Sequence, residues 1–150
     1  MTSKRVVDGF LAHRRIAVVG VSRTGRGFGH AAWQTLRGKG WDAVPVNPHA
    51  SEVDGIPCYA TLRDLPPGST EAAVVVTPPQ ATERVVEDAA AAGIRWLWLQ
   101  QGSSSEKALR FCSDNQIETV SGECILMHAD PAGLHKFHRW IWNVLGKLPA

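Results

Sequence analysis

Short apolar runs that stop at glycine or proline, alternating with stretches of helical periodicity, restrict this chain more than any other feature. Ile16-Ala-Val-Val-Gly20, Trp41-Asp-Ala-Val-Pro-Val46, Ala72-Ala-Val-Val-Val76 and Trp96-Leu-Trp-Leu-Gln100 read as strands, with a short fifth at Glu118–Ser121. Runs this apolar, without polar alternation, belong to strands covered on both faces. Between them, a helix begins at Ala31, Ala32, Trp33 and Leu36 and ends near Gly38 or Gly40. Gln80–Ala92 carries Ala81, Val85, Ala89 and Ala92 on one stripe before Gly93, and Ser105–Asn115 is a further helix. Right-handed crossovers then give an α/β fold: a Rossmann-like, doubly wound, mostly parallel five-stranded sheet with helices on both faces.

Pro45 inside the second run removes a ladder donor and predicts a strand paired on one side there. Residues 49–70 read as turns, with a short extended piece at Pro57–Tyr59 and a helical turn near Leu62–Leu65. At the C-terminus, Leu134, Phe137, Ile141, Val144, Leu145 and Leu148 share an arc of about 100°. Lys136, Arg139, Asn143 and Lys147 face away from it, and Trp140 and Trp142 flank it. A helix over about 131–147 with that arc packs on its own domain or on a second subunit, the route to a homo-oligomer.

The chain's 150 residues suffice for a single domain spanning 1–150, and 44% hydrophobic with 20% charged residues excludes wholesale disorder. A net charge of +2, with Lys and Arg scattered, argues against nucleic acid. No apolar run is long enough for a bilayer, and the N-terminus lacks a signal-peptide pattern. Three cysteines without CxxC spacing, Cys58, Cys112 and Cys124, fit free thiols in a cytoplasmic protein. His135 and His138 stand one turn apart and could share a metal with His128, but no carboxylate-rich surroundings support it, and no metal is expected. No catalytic Ser-His-Asp arrangement is readable, and Gly20–Ser22 lacks the closing glycine of a nucleophile elbow. Cys124, just past the fifth strand, is either a buried structural thiol or one placed to meet a ligand's sulfur.

In an open parallel sheet, ligands bind beyond the carboxyl ends of the strands near the switch in strand order. The residues there are Gly20-Val21-Ser22-Arg23, Asn47-Pro48, Thr77-Pro78-Pro79 and Gln101-Gly102. A glycine turn delivering backbone N–H groups and a helix N-terminus favours a phosphate, and Arg23 and Arg26 lie in the same loop. A dinucleotide fingerprint wants glycine where Ser22 stands, and an acid at the end of the second strand where Asn47 and Pro48 stand. Both departures speak against NAD and towards another adenine nucleotide. No G-x-x-x-x-G-K-[ST] loop occurs.

Ile16-Ala-Val-Val-Gly20-Val-Ser, Val44-Pro-Val-Asn47-Pro48, Val74-Val-Val-Thr77-Pro78-Pro79, Trp98-Leu-Gln100-Gln101-Gly102 and Cys124-Ile fall in order at the strand ends. Over about residues 10–130 the chain resembles the small stand-alone CoA-binding proteins and the N-terminal domain of the succinyl-CoA synthetase α subunit. The resemblance implies a Rossmann-like domain that binds coenzyme A or an acyl-CoA as a carrier or sensor. It implies Gly20, Val21, Ser22 and Arg23 at the phosphates, with Arg26 beside them. Val46, Asn47 and Pro48 would hold the adenosine side, and Thr77, Pro78, Gln101 and Gly102 the rest of the cofactor. The synthetase's phosphorylated histidine lies in a second domain with no counterpart here, so the resemblance does not imply ligase activity. Thr24–Gly29 also departs from the proline-containing loop usual in that family. The alternative is an enzyme using an NAD(P)-type ligand or an acyl-CoA.

Overall fold

The computed structural model describes residues 3–128. The expected C-terminal helix at about 131–147 therefore lies outside the described residues. Helix α1 (Lys4–Leu11) opens the chain, followed by β1 (Arg15–Val19), α2 (Gly27–Gly38) and β2 (Asp42–Val46). A two-residue-per-strand hairpin, β3 (Glu52–Val53) and β4 (Ile56–Pro57), precedes a 3₁₀ turn at Leu62–Asp64. Then come β5 (Ala72–Val75), α3 (Pro79–Ala91), β6 (Trp96–Gln100), α4 (Glu106–Asp114), β7 (Glu118–Glu123) and the short α5 (Ile125–His128).

Five strands form one parallel sheet in the order β2-β1-β5-β6-β7. The strand order reverses between β1 and β5, so the chain winds one way from β1 to β2 and the other way from β5 onward. Alternate residues of each strand enter different cores. Ile16, Val18, Val74, Trp98 and Val120 pack with α1, α2 and α5, while Ala17, Val19, Val75, Leu97 and Leu99 pack with α3 and α4. Both sets are buried, which is why the strands read as unbroken apolar runs.

Pro45 sits on the edge strand, opposite Val18 of β1. Its carbonyl points outward and accepts the Tyr59 N–H at 3.1 Å, while Asn47 N–H donates to Tyr59 C=O at 2.9 Å. Because N–H and C=O of one strand residue point the same way, the donor that proline lacks is also on the outer side. No bond to β1 is lost.

Several features depart from the sequence reading, the short α5 after β7 among them. Helix α1 was not foreseen, although Val6, Val7, Phe10 and Leu11 make a one-sided stripe behind the Ser3 cap, and Phe10 packs edge-on against Trp98 at 5.4 Å. Helix α2 begins at Gly27, four residues before the apolar stretch, because Gly29 lets the helix press against the backbone of Gly20. The hairpin falls where the sequence predicts turns, and only its last residue, Pro57, overlaps the extended piece expected at Pro57–Tyr59. Its turn is Asp54-Gly55, both with positive φ (50° and 78°), the pairing a two-residue hairpin favours.

Candidate functional site

At the strand-order switch the chain leaves β1 through Gly20, β2 through Asn47 and Pro48, and β5 through Val76, Thr77 and Pro78. Gly20 has φ +101°, and a Cβ there would collide with the carbonyl of Val76, so the turn passes the neighbouring strand end with no room for a side chain. These three strand ends, α3 and the segment Ala60–Leu62 enclose a cleft of about 560 Å³. Val19, Val46, Val76, Ala81 and Val85 make its surface mostly apolar.

Hydrogen bonds tie the strand-end loops together. The Asn47 Nδ2 donates to Val21 C=O at 2.7 Å, and its Oδ1 accepts the His49 N–H at 2.7 Å. Both ends of that amide are thereby committed to the protein. Arg23 Nη1 reaches the His49 carbonyl at 3.4 Å, joining the same two loops from the solvent side. Across the switch, the Thr77 and Thr82 hydroxyls lie 2.7 Å apart and Thr82 Oγ1 donates to Pro78 C=O at 3.2 Å. Thr77 N–H in turn donates to Ser103 Oγ at 3.2 Å, so the loop after β6 fixes the turn into α3.

Of the residues singled out in the sequence, Gly20, Val46, Asn47, Pro48, Thr77 and Pro78 line the cleft. Val21, Ser22, Arg23, Arg26, Gln101 and Gly102 stand outside its walls. Val21 is fully buried, and Ser22 Oγ turns back to accept the Thr24 N–H at 3.1 Å. Arg26 is the exposed residue preceding the first turn of α2, with no side-chain capping bond. Gln101 and Gly102 are exposed after β6, whereas Gln100 is buried and its Oε1 accepts the Ile125 N–H at 3.1 Å. Cys124 is half-buried against the core that α1, α2 and α5 share with the sheet, and is not among the cleft residues. Burial raises the Cys58 thiol above its ordinary range, against a smaller lowering from the Asn47 backbone.

Sequence reasoning missed Arg84 and Asp88, which line the cleft from α3. Asp88 is 6% exposed, and its Oδ1 accepts Arg63 Nε at 2.6 Å and faces Arg84 Nε at 3.7 Å. The signal was present as a carboxylate within the stripe read as apolar. That stripe divides: Ala89 enters the core and Ala92 packs against it, while Ala81 and Val85 line the cleft because the first turns of α3 stand beyond the strand ends. Among the described residues, no group of three or more His, Cys, Asp or Glu is placed to hold a metal ion. Nor is any helix there long and apolar enough to cross a membrane.

A doubly wound parallel sheet with its cleft at the switch point and a glycine turn on the first strand places the chain in the Rossmann-like α/β class. The chain belongs to the CoA binding domain family, whose model matches residues 14–130. A solved conserved hypothetical protein from Pyrococcus furiosus is 37% identical, with a TM-score of 0.71 over 75% of this chain and 96% of that one. The α subunit of ADP-forming acetate–CoA ligase II from Pyrococcus furiosus is 26% identical over 60% of this chain, which spans only 20% of that subunit. The uncharacterized protein YneT from Bacillus subtilis is 25% identical over 75% of this chain and 82% of its own length.

Proposed function

We propose that the chain binds coenzyme A, free or acylated, in the cleft at the β1/β5 switch, and acts as a carrier or sensor without chemistry of its own. The observation that carries this reading is the pairing of a mostly apolar cleft with the Gly20 turn at its inner end. Family membership supports the ligand class. The residues fit the cofactor: Val46, Pro48, Val76 and Val85 offer apolar contact to an adenine ring and a pantetheine arm. The N-terminus of α2 and the exposed Arg23 and Arg26 offer N–H groups and cations to phosphates. Bound there, the cofactor would supply a thiol able to carry an acyl group; the protein's part is to hold and orient it.

Thermal-shift and calorimetric titrations with CoA, acetyl-CoA and NAD test the reading. CoA and acetyl-CoA should stabilise the protein and NAD should not, since Ser22 and Asn47 occupy the places where NAD needs a glycine and an acid. Equal stabilisation by NAD and CoA at matched saturation would overturn it. Native mass spectrometry of protein purified without added ligand should show a CoA-sized adduct. Turnover of acetyl-CoA by the pure protein would replace the carrier reading with an enzymatic one.

A further inference from the structure

Among the described residues that line the cleft, the titratable ones are His49, Arg84 and Asp88. Asp88 is buried and carries two guanidiniums, and this cluster of three charges sums to +1. A buried carboxylate needs such partners, since leaving it unpaired is costly. The two arginines are not equivalent. Arg63 is committed through a 2.6 Å bond and stands outside the cleft, whereas Arg84 lines it, is 76% exposed at its side chain and lies 3.7 Å from the carboxylate. Asp88 therefore draws Arg84 by charge towards the cleft side of α3, at a distance beyond hydrogen bonding that leaves the fork of donors available.

At the end of β2, where a dinucleotide fold places an acid for the free ribose hydroxyls, this chain has Asn47. The Asn47 amide is spent at both ends on Val21 and His49. That position offers no carboxylate to a ribose, its amide being tied to the protein at each end, and the cleft presents a cation from α3 instead. Resting on the reading of the cleft as a CoA site, we propose that Arg84, positioned by Asp88, binds the phosphate on the adenosine ribose. Arg84 thereby selects coenzyme A over its 3′-dephospho form. The diphosphate has a separate partner in the N-terminus of α2 beyond the Gly20 turn, with Arg23 and Arg26 beside it.

Titration calorimetry of the full chain with CoA and with 3′-dephospho-CoA decides this. The unmodified protein should bind CoA about tenfold or more tightly than the dephospho form, the lower end of what a charge-assisted bond supplies. Arg84→Gln should bring CoA down to the affinity of 3′-dephospho-CoA and leave the latter within about twofold. Asp88→Asn should narrow the same ratio, its melting temperature recorded alongside; if it fails to fold, the exposed Arg84 variant still decides. Arg23→Gln should weaken both ligands alike. A ratio unchanged in Arg84→Gln, or equal binding of the two ligands by the unmodified protein, would overturn the assignment while leaving the cleft as the CoA site. Failure of the unmodified protein to bind either ligand would overturn both.

Discussion

The Cα of Gly20 passes the carbonyl of Val76 with no space for a methyl group between them. This contact brings the ends of β1 and β5 together and gives the cleft its inner end, so it links the fold directly to the site.

Gly20→Ala should therefore damage both. The positive φ alone costs a side-chain-bearing residue about 1–3 kcal/mol, before the collision with Val76 is relieved. We expect a melting midpoint lower by roughly 5–10 °C and loss of CoA binding, measured by calorimetry and thermal denaturation. A variant with unchanged stability and affinity would show that the turn relaxes freely.

Asn47→Asp tests whether the Asn47 amide works as a knot between loops. The substitution keeps an acceptor for the His49 N–H but sets a carboxylate oxygen against the Val21 carbonyl. Stability should fall by about 1–3 kcal/mol in denaturant titrations. The new acid should not create NAD affinity, because Ser22 remains and the two loops no longer hold their spacing; NAD binding by this variant would contradict that view.

The hairpin is anchored to α2 by one carboxylate. Asp54 Oδ2 lies 3.0 Å from His30 Nε2 and accepts Gln34 Nε2 at 3.0 Å, while His30 is 5% exposed. Asp54→Ala should cost about 1–3 kcal/mol, since it leaves a buried imidazole unpaired and places alanine at φ +50°. Asp54→Asn, which tolerates that backbone, should recover part of the loss. Equal destabilisation by the two substitutions would remove the turn conformation from the explanation.

Alkaline pH should weaken the fold through Cys112. Burial raises this thiol above its ordinary value of 9.0, with a smaller lowering by Thr119. Between the ordinary and the raised value the unfolded chain has released a proton that the folded chain retains. Stability contributed below that window is thus lost as pH rises through it. Denaturation midpoints taken from about pH 8 to about pH 10 should fall, and fall less steeply in Cys112→Ala. Parallel curves for the two proteins would assign the alkaline loss to other groups.

The sheet was legible because both faces of every central strand are buried, which leaves apolar runs such as Ala72–Val75 standing clear of their surroundings. The strand ends followed from it, and with them Gly20, Asn47 and Thr77 as cleft residues. Arg84 and Asp88 were not legible as cleft residues, since a helix turn standing beyond the sheet carries the same periodicity as one lying on it. Ser103 escaped notice for a different reason: its role is to accept one backbone N–H from a loop 26 residues earlier, and no local pattern records that. Asp54-Gly55 was readable, but strands of two residues are too short to show alternation.

The outer margin of β2 has a consequence for association. Pro45 offers no donor on that side, and its carbonyl is already engaged by Tyr59, whose own carbonyl takes the Asn47 N–H. An incoming chain would find no continuous row of free backbone groups along this half of the strand. Sheet extension from one molecule to the next, the usual hazard of an open parallel sheet, is therefore obstructed at this border by a single imino acid and a tyrosine backbone.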